Sequence, residues 1–201
     1  QPTSYPYVMQ GGPPLTQNPQ GIDFNADGSK MFIVSDIQQG GLTQWNLSTP
    51  FDVSTLSYAA TADITAQIGT DGGGIKFSPD GTRMFVSRAH SLASGNESVF
   101  QFNLSTGFDL STVSYSGNSL SVSNSSNTRI FGIEFNNDGS KMYIVDDDYT
   151  ITNNTNEGPR EYSLSTPYDL STASFNHLFA VGAQDSQVRG IAFNTDGTKM
   201  F

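Results

Sequence analysis

The sequence predicts an all-β protein of repeated four-stranded units, on the strength of two recurring segments and the lack of helical patterning. A glycine-led segment occurs four times, at spacings of 53, 58 and 58 residues, beginning at Gly21, Gly74, Gly132 and Gly190. A second segment occurs three times, beginning at Trp45, Phe102 and Tyr162. No amphipathic helix of useful length interrupts them, and a period of this size is typical of repeat architectures.

Each unit is predicted to contain four strands, A to D, in chain order. Strand A is the G-I-x-F that opens the glycine-led segment, and a turn of the form N/S-x-D-G-S/T leads to strand B. Glycine supplies positive φ in that turn, and the aspartate caps it through its side chain. Strand B is apolar at consecutive positions, which predicts burial on both faces. Strand C is predicted to end at the aromatic residue that opens the second segment, and strand D to begin near that segment's end.

Four short antiparallel strands in every repeat are the pattern of a β-propeller blade. We predict about three and a half blades in one propeller domain, with repeat units at about residues 4–56, 57–113, 114–173 and, in part, 174–201. An open end would leave an apolar blade face and unpaired strand edges in water. We therefore expect a larger ring, a ring completed by a second copy, or a filament built through blade edges.

The run F-S-P-D-G from Phe77 to Gly81 resembles the core of TolB-type and YVTN-type blades. These are WD-like propeller repeats of bacterial and phage surface proteins. The resemblance covers nearly the whole chain, and it implies the fold but no activity, because such families include partner-binding proteins, surface-layer proteins and enzymes. No catalytic residue of these families is assigned to a position of this sequence, since no catalytic motif of such a family is present.

The composition excludes several classes of partner. The net charge is −10, with only nine lysines and arginines, so the surface repels phosphate backbones and anionic membranes. Nucleic acid and membrane insertion are therefore not expected, and no apolar run is long enough to span a bilayer. The absence of cysteine excludes disulfides, thiolate metal sites and cysteine nucleophiles. Cations, neutral glycans and basic proteins remain compatible with this charge as binding partners.

The connections between strands are predicted to lie on two faces. The A–B and C–D turns are nearly identical between units, whereas the B–C and D–A loops differ in length and composition. Variable loops can change without disturbing the blade, so we place the site for a protein or glycan partner on their face. Arg88 and His90, in one B–C loop, are candidate contacts for a carboxylate or a sugar.

Acidic residues offer the one metal hypothesis. Asp146, Asp147 and Asp148 form the densest acidic cluster and are predicted to open a variable loop. Three carboxylates would suit calcium, but a solvated loop explains them better, so no cofactor and no metal are predicted. The repeated aspartates are predicted to cap turns rather than bind calcium: Asp27, Asp80, Asp138 and Asp196, and Asp52, Asp109 and Asp169.

Strand A, predicted to be innermost, carries a variable charged position. It holds Asp23, Lys76, Glu134 and Ala192, which we predict to line the central channel and to pair their charges.

Five N-x-S/T sequons are candidate glycosylation sites if the chain is exported. They lie at Asn46, Asn96, Asn103, Asn124 and Asn153. Asn46 and Asn103 share a repeat position in strand C and are predicted to point outward.

The functional expectation is a non-enzymatic, secreted structural or adhesive propeller at the surface of a microbe or its virus. No G-x-S-x-G, H-E-x-x-H or glycine-rich phosphate loop is present. The alternative is a propeller enzyme acting on carbohydrates or lactones through carboxylates from different blades. Two further alternatives are a subunit of an extracellular filament or virion appendage, and a periplasmic partner-binding module.

Overall fold

The computed structural model describes residues 18–35, 41–89, 98–122, 128–148, 158–184 and 188–201. In these residues the chain forms three four-stranded antiparallel sheets, in each of which every strand pairs with the next in chain order. The prediction of all-β propeller blades is confirmed. A fourth unit contributes the bridge between Phe193 and Met200.

The strands and the connecting turns have the following bounds. Blade 1 contains β1 (Pro19–Phe24), β2 (Lys30–Ser35), β3 (Gly41–Leu47) and β4 (Leu56–Asp63). Blade 2 contains β5 (Gly72–Phe77), β6 (Arg83–Arg88), β7 (Ser98–Leu104) and β8 (Val113–Ser121). Blade 3 contains β9 (Thr128–Phe135), β10 (Lys141–Asp148), β11 (Gly158–Leu164) and β12 (Ala173–Leu178). One helical turn, α1 (Thr65–Ile68), joins blades 1 and 2, and 3₁₀ turns precede the fourth strands at Val53–Thr55, Leu110–Thr112 and Leu170–Thr172.

The third strand of each blade runs two residues beyond its predicted end. In blade 1 it ends at Leu47 rather than Trp45, because the Leu47 N–H donates to the Ser29 carbonyl (2.7 Å) and extends the ladder. The same bond forms in the other blades, at Leu104 and Leu164. All three leucine side chains are buried, so apolar contact and main-chain bonding act together.

The A–B turn and the C–D connection are hydrogen-bonded and packed against each other within each blade. In blade 2, Gly81 has φ +69° and Phe108 has φ +57°, and the Phe108 N–H donates to the Gly81 carbonyl (3.1 Å). A Cβ atom at Gly81 would overlap the Phe108 ring, so glycine is needed for both its dihedral and its size. The carboxylate of Asp80 accepts from the Thr82 N–H and that of Asp109 from the Ser111 N–H.

The capping prediction for the repeated aspartates is confirmed. Each accepts a hydrogen bond from the main-chain N–H two residues later: Asp27, Asp52, Asp80, Asp109, Asp138, Asp169 and Asp196.

Neighbouring blades are joined by aromatic packing and by side chains that reach main-chain groups. Phe108 of blade 2 packs against Phe32 of blade 1, with ring centroids 6.1 Å apart. Oε1 of Gln44 accepts from the Leu110 N–H at 2.9 Å. Gln101 repeats this bond toward Leu170, also at 2.9 Å. Blade 1 therefore makes the same hydrogen bond to blade 2 as blade 2 makes to blade 3, in the buried layer between them.

The inner strands approach closely enough for glycine to be required. Strand β5 lies between β1 and β9. A Cβ atom at Gly21 would lie 2.5 Å from the Gly73 carbonyl oxygen, and one at Gly74 would lie 2.5 Å from that of Phe131. The buried Ser87 hydroxyl accepts from the Gly74 N–H (2.7 Å) and donates to the Ile130 carbonyl (2.8 Å), which joins β5 to β9.

We predict that replacing Gln101 by alanine lowers the free energy of unfolding by about 1–3 kcal/mol, because the buried Leu170 N–H loses its acceptor. Urea denaturation measures the loss. The exposed Gln184 provides the control, since Gln184→Ala removes a side chain of the same kind outside the blade interface. Equal midpoints for wild type and Gln101→Ala would contradict the inter-blade role.

The capping aspartates predict acid sensitivity. The Ser78 hydroxyl lowers the pKa of Asp80 and the Ser140 hydroxyl lowers that of Asp138, each below the usual 3.8. A lowered pKa in the folded state contributes stability that is present above pH 3.8 and is lost as the pH falls through the folded pKa. The double variant Asp80→Asn with Asp138→Asn should lose less melting temperature than wild type between neutral pH and about pH 3. Parallel losses in thermal melts would show that these caps do not cause the acid sensitivity.

Candidate functional site

Two cavities open at opposite ends of the inner strands. The turn-end cavity, of about 260 Å³, lies beside the A–B turns and includes Asp23, Lys76 and Glu134 in its wall. The loop-end cavity, also about 260 Å³, lies where the inner strands begin, on the side of the variable B–C and D–A loops. The two ends present different chemistry, because the first holds carboxylates around a lysine and the second holds arginines.

The turn-end cavity contains the predicted charge pairing across three blades. Nζ of Lys76 lies 3.1 Å from Oε2 of Glu134 and 3.8 Å from Oδ1 of Asp23. The other Asp23 oxygen accepts from the Phe77 N–H at 2.9 Å. The carboxylates of blades 1 and 3 thus share the ammonium of blade 2, which confirms the prediction for these three positions.

Burial sets the protonation of this group. Burial raises the pKa of Asp23 above the usual 3.8, although Lys76 and the Phe77 N–H act in the opposite direction. Burial by itself would lower the pKa of Lys76, but the carboxylates of Asp23 and Glu134 outweigh it and leave that pKa raised. Lys76 therefore stays protonated at neutral pH, and Asp23 is the carboxylate that takes up a proton more readily than usual.

The loop-end cavity is built from four successive repeats. Its polar wall consists of Gln20, Asp71, Arg129 and Arg189, beside the ring of Phe131. Gln20 and Arg189 come one position before the glycine that opens their repeat, Gly21 or Gly190. Asp71 and Arg129 come three positions before theirs, Gly74 or Gly132. The register of the repeats therefore brings together side chains that lie far apart in the chain.

The arginines of this cavity have a defined setting. The Arg189 guanidinium lies 4.9 Å from the centroid of the Phe131 ring, within cation–π range. Arg129 belongs to β9 and is half-buried, whereas Arg189 and Gln20 are exposed. The cavity thus combines guanidinium donors, an amide, a carboxylate and an aromatic ring, which are the groups that line polar ligand sites.

Sequence reasoning placed the site on the face of the B–C and D–A loops but did not single out the residues of this cavity. The signal was available in the positions just before each repeat glycine, where the residue type changes from repeat to repeat. Recognising it required the spatial order of the repeats as well as their sequence.

Arg88, predicted as a ligand contact, makes structural contacts in the described part of the chain. It is the last residue of β6 and is half-buried. Its guanidinium donates to the Gln67 carbonyl and lies 5.1 Å from the centroid of the Phe100 ring. Arg88 thereby holds α1 against blade 2, and it is not part of the loop-end cavity. His90 lies outside the described residues.

The prediction that Asp146 opens a solvated loop is wrong. Strand β10 continues through Asp148, and Asp146 pairs with Ile130 on one side and Gly158 on the other. The Asp146 residue is 2% exposed, and its Oδ2 accepts from Nε of Arg160 at 2.7 Å. The strand extends because Arg160 on β11 supplies the opposite charge that a buried carboxylate requires.

The rest of the acidic cluster gives no support to a calcium site in the described part of the chain. The main chain of Asp147 and Asp148 belongs to β10, while their side chains lie outside the described portion. Among the residues that are described, no group of three histidine, aspartate or glutamate side chains is placed to hold a metal ion.

Two of the five sequons lie in described strands. Asn46 and Asn103 are exposed, as predicted from the alternation of side chains along strand C. Asn96, Asn124 and Asn153 lie outside the described residues. His177, on β12, is exposed.

Comparison with known proteins identifies similar structures but no family. No family model matches the sequence, and no curated protein matches it. The structure is similar to that of a protein of unknown function from Desulfotomaculum acetoxidans, with a TM-score of 0.54, 16% identity, and coverage of 90% of this chain and 47% of the other. A candidate 6-phosphogluconolactonase from Bacteroides uniformis gives a TM-score of 0.61 at 15% identity, covering 90% of this chain and 46% of that one.

A third similar structure is the exo-β-1,3-galactanase of Phanerochaete chrysosporium, bound to β-1,3-galactotriose. Its TM-score is 0.50 at 12% identity, with 85% of this chain and 38% of that one covered. The chain therefore spans less than half the length of each of these three structures. Similarity at this level of identity supports the propeller-like fold alone. Within the described residues, no helix is long and apolar enough to cross a membrane.

We predict that Asp146→Asn lowers the free energy of unfolding by about 3–5 kcal/mol, because the buried Arg160 loses the carboxylate that its Nε contacts at 2.7 Å. The loss should be the same with added calcium and with a chelator, as measured by denaturant titration. A calcium-dependent gain in wild-type stability that disappears in Asp146→Asn would restore the metal hypothesis.

Proposed function

We propose that the chain is a non-enzymatic binding propeller that holds a glycan on the face of its variable loops. The observation that carries the proposal is the loop-end cavity, whose polar side chains come from four repeats. A ligand in this cavity would contact several blades at once. The blades act as a rigid support, and variation in the residues that precede each repeat glycine sets specificity.

The chemistry of the cavity favours a glycan over a protein surface as the ligand. Its volume of about 260 Å³ is just below the roughly 300 Å³ at which sites for drug-sized ligands begin, so it suits one sugar unit. Gln20 and Asp71 offer acceptors for hydroxyl groups, and the arginines offer donors. Phe131 adds an apolar surface against which the carbon face of a sugar ring can pack.

The turn-end cavity is less suited to binding because its charged side chains already pair with one another. Lys76 is shared by two carboxylates, and Asp23 also accepts from the Phe77 N–H. A ligand there would have to displace partly buried ion pairs. We therefore assign ligand binding to the loop-end cavity.

A second candidate function is hydrolysis of a carbohydrate or lactone, and the turn-end cavity is the observation that favours it. Asp23 and Glu134 come from different blades, and the raised pKa of Asp23 is a property of general acids. Two of the similar structures carry names of carbohydrate-related enzymes. Lys76 between the carboxylates places this candidate second, because it holds both of them in ion pairs.

We also propose that the protein is secreted to the cell surface, with the periplasm as the alternative, and that its blades belong to a larger ring or filament. Val53 is 58% exposed, whereas its repeat equivalents Leu110 and Leu170 are 2% and 3% exposed against the preceding blade. Phe51 is likewise 60% exposed. Contact with a further blade, from this chain or from a second copy, would cover both.

We predict that the full chain binds neutral or acidic oligosaccharides in an immobilised panel and releases no reducing sugar. Gln20→Ala should weaken binding by about 2- to 10-fold, since one hydrogen bond contributes roughly 0.5–1.5 kcal/mol. Asn137→Ala, at the turn-end cavity, is the matched control and should leave the affinity unchanged.

Turnover of an oligosaccharide or a lactone would favour the enzyme instead. In that case Asp23→Asn should abolish the reaction while the variant still melts cooperatively. If the chain neither binds nor turns over any saccharide of the panel, the glycan proposal is contradicted.

A further inference from the structure

We infer that the fourth repeat unit and the adjoining side of blade 3 bind a peptide segment that has the sequence form of a C–D hairpin, with an aromatic residue followed by aspartate and leucine. This hairpin surface consists of Tyr143 and Glu161 of blade 3 and Phe193, Gly197 and Met200 of the fourth unit. It lies beside the A–B turns and shares no residue with the loop-end cavity, so the inference goes beyond glycan binding.

The turn of the fourth unit has the form that holds an aromatic ring in the other blades. In each of those blades, a Cβ atom added to the turn glycine would overlap the ring of the C–D connection: Gly28 with Phe51, Gly81 with Phe108, and Gly139 with Tyr168. Gly197 has the same repeat position and a φ of +70°. Apart from its chain neighbours, no described atom lies within 4 Å of a Cβ atom added there. The fourth unit therefore has the same turn with open space above it.

A cavity of about 240 Å³ beside Gly197 has the walls that such a ring requires. Tyr143 and Phe193 line it, with ring centroids 4.7 Å apart. The equivalent ring pairs are 4.4 Å apart between blades 1 and 2 and 4.6 Å apart between blades 2 and 3. At both, a third ring from the C–D connection of the later blade packs against the pair, at 5.3 Å for Phe108 and 5.1 Å for Tyr168. The cavity thus fits an aromatic side chain.

Blade 3 also has an acceptor where the other blades bond to their neighbour. Oε1 of Gln44 and Oε1 of Gln101 each accept from the N–H of the leucine two residues after the aromatic residue. Glu161 has this position in blade 3, and its carboxylate is likewise an acceptor. Its Oε1 lies 2.9 Å from Nδ2 of Asn176 and 3.0 Å from Nζ of Lys141, contacts that orient the side chain. A leucine N–H that follows a bound aromatic residue would meet this carboxylate.

Strand B of the fourth unit specifies the first half of the hairpin. Met200 is 43% exposed, whereas its repeat equivalents are at most 3% exposed: Met31, Met84 and Met142. Each of those methionines pairs with the aromatic residue of strand C, which is Trp45, Phe102 or Tyr162. A segment that places an aromatic residue opposite Met200 would therefore cover it and continue the sheet. Main-chain bonds supply affinity in such strand addition, and pockets for side chains supply specificity.

A second folded copy of this chain does not fit the hairpin surface. Each of its own hairpins is held by a bond from the aromatic N–H to the carbonyl of its turn glycine, at 3.0 Å for Phe51 and 3.1 Å for Phe108 and Tyr168. A copy would have to open a blade to donate one of them. The occupant is therefore a segment of the same sequence form that is not already folded into a blade.

The test measures binding of a labelled peptide with the sequence of residues 101–116, which contains the C–D connection of blade 2, to the full chain by fluorescence anisotropy. The parent peptide should bind saturably, and a peptide of the same composition in scrambled order should not bind. Phe108→Ala in the peptide should weaken binding by about 10-fold or more, because the buried ring is lost.

Variants of the protein locate the bound peptide. Glu161→Ala should weaken binding by about 2- to 10-fold, since the acceptor for the leucine N–H is removed. Glu161→Gln is the matched control, because it restores the residue type of Gln44 and Gln101, and it should change the affinity by less than about 2-fold. The comparison of parent and Phe108→Ala peptides on wild type keeps the test decisive if Glu161→Ala fails to fold.

The possible failures are distinguishable. No binding of the parent peptide, or equal binding of the parent and Phe108→Ala peptides, would overturn this inference and leave the glycan proposal intact, because the saccharide panel is measured separately. An equal loss in Glu161→Gln and Glu161→Ala would overturn the role of Glu161 as the acceptor. If wild type alone has the native mass of two copies and excess peptide reduces it to one, a second copy occupies the surface and the assignment to a separate segment is wrong.

Discussion

The inner strands of neighbouring blades pack main chain against main chain, and the rest of the structure depends on this close approach. Gly21 and Gly74 leave no room for a Cβ atom, because each faces a carbonyl of the next inner strand. The Ser87 hydroxyl satisfies two main-chain groups in the same layer, where an unpaired group would be costly. Only at this spacing can Lys76 reach carboxylates on both sides, and only at this spacing do side chains of four repeats enclose one cavity.

The two ends of the inner strands divide stability and recognition between them. At the turn end, the contact between the A–B turn and the C–D connection and the aspartate caps recur in every blade. The charge of Lys76 is paired within the protein. At the loop end, the residues before each repeat glycine change from one repeat to the next, so the cavity has a chemical character that no single blade has. A repeated scaffold can therefore present a site that is not itself repeated. This arrangement suits recognition on a rigid support.

Features that follow from neighbours in sequence or from equivalent positions in the repeats could be predicted, and contacts between non-equivalent positions could not. The capping role of Asp80 and the outward direction of Asn46 follow from local turn chemistry and strand alternation. The pairing of Lys76 with its carboxylates followed from the repeat register. The burial of Asp146 did not, because Arg160 lies on the far side of a loop and meets it only through strand pairing. The presence of Arg129 and Arg189 in the wall of one cavity likewise depends on the order of the blades in space.

The aromatic residue of each C–D connection has a consequence for how such a chain reaches its folded state. Phe51, Phe108 and Tyr168 have φ values of 60°, 57° and 56°, a left-handed conformation that costs a non-glycine residue roughly 1–2 kcal/mol. For Phe108 this cost is offset where the ring packs against Phe77 of its own blade and Phe32 of the preceding blade, with ring centroids 5.3 and 6.1 Å away. Packing within the repeat and packing against its neighbour both offset this strain, as expected for chains whose stability is a sum of repeat and interface contributions. Folding should spread from one blade to the next, and the blades should unfold as a cooperative group.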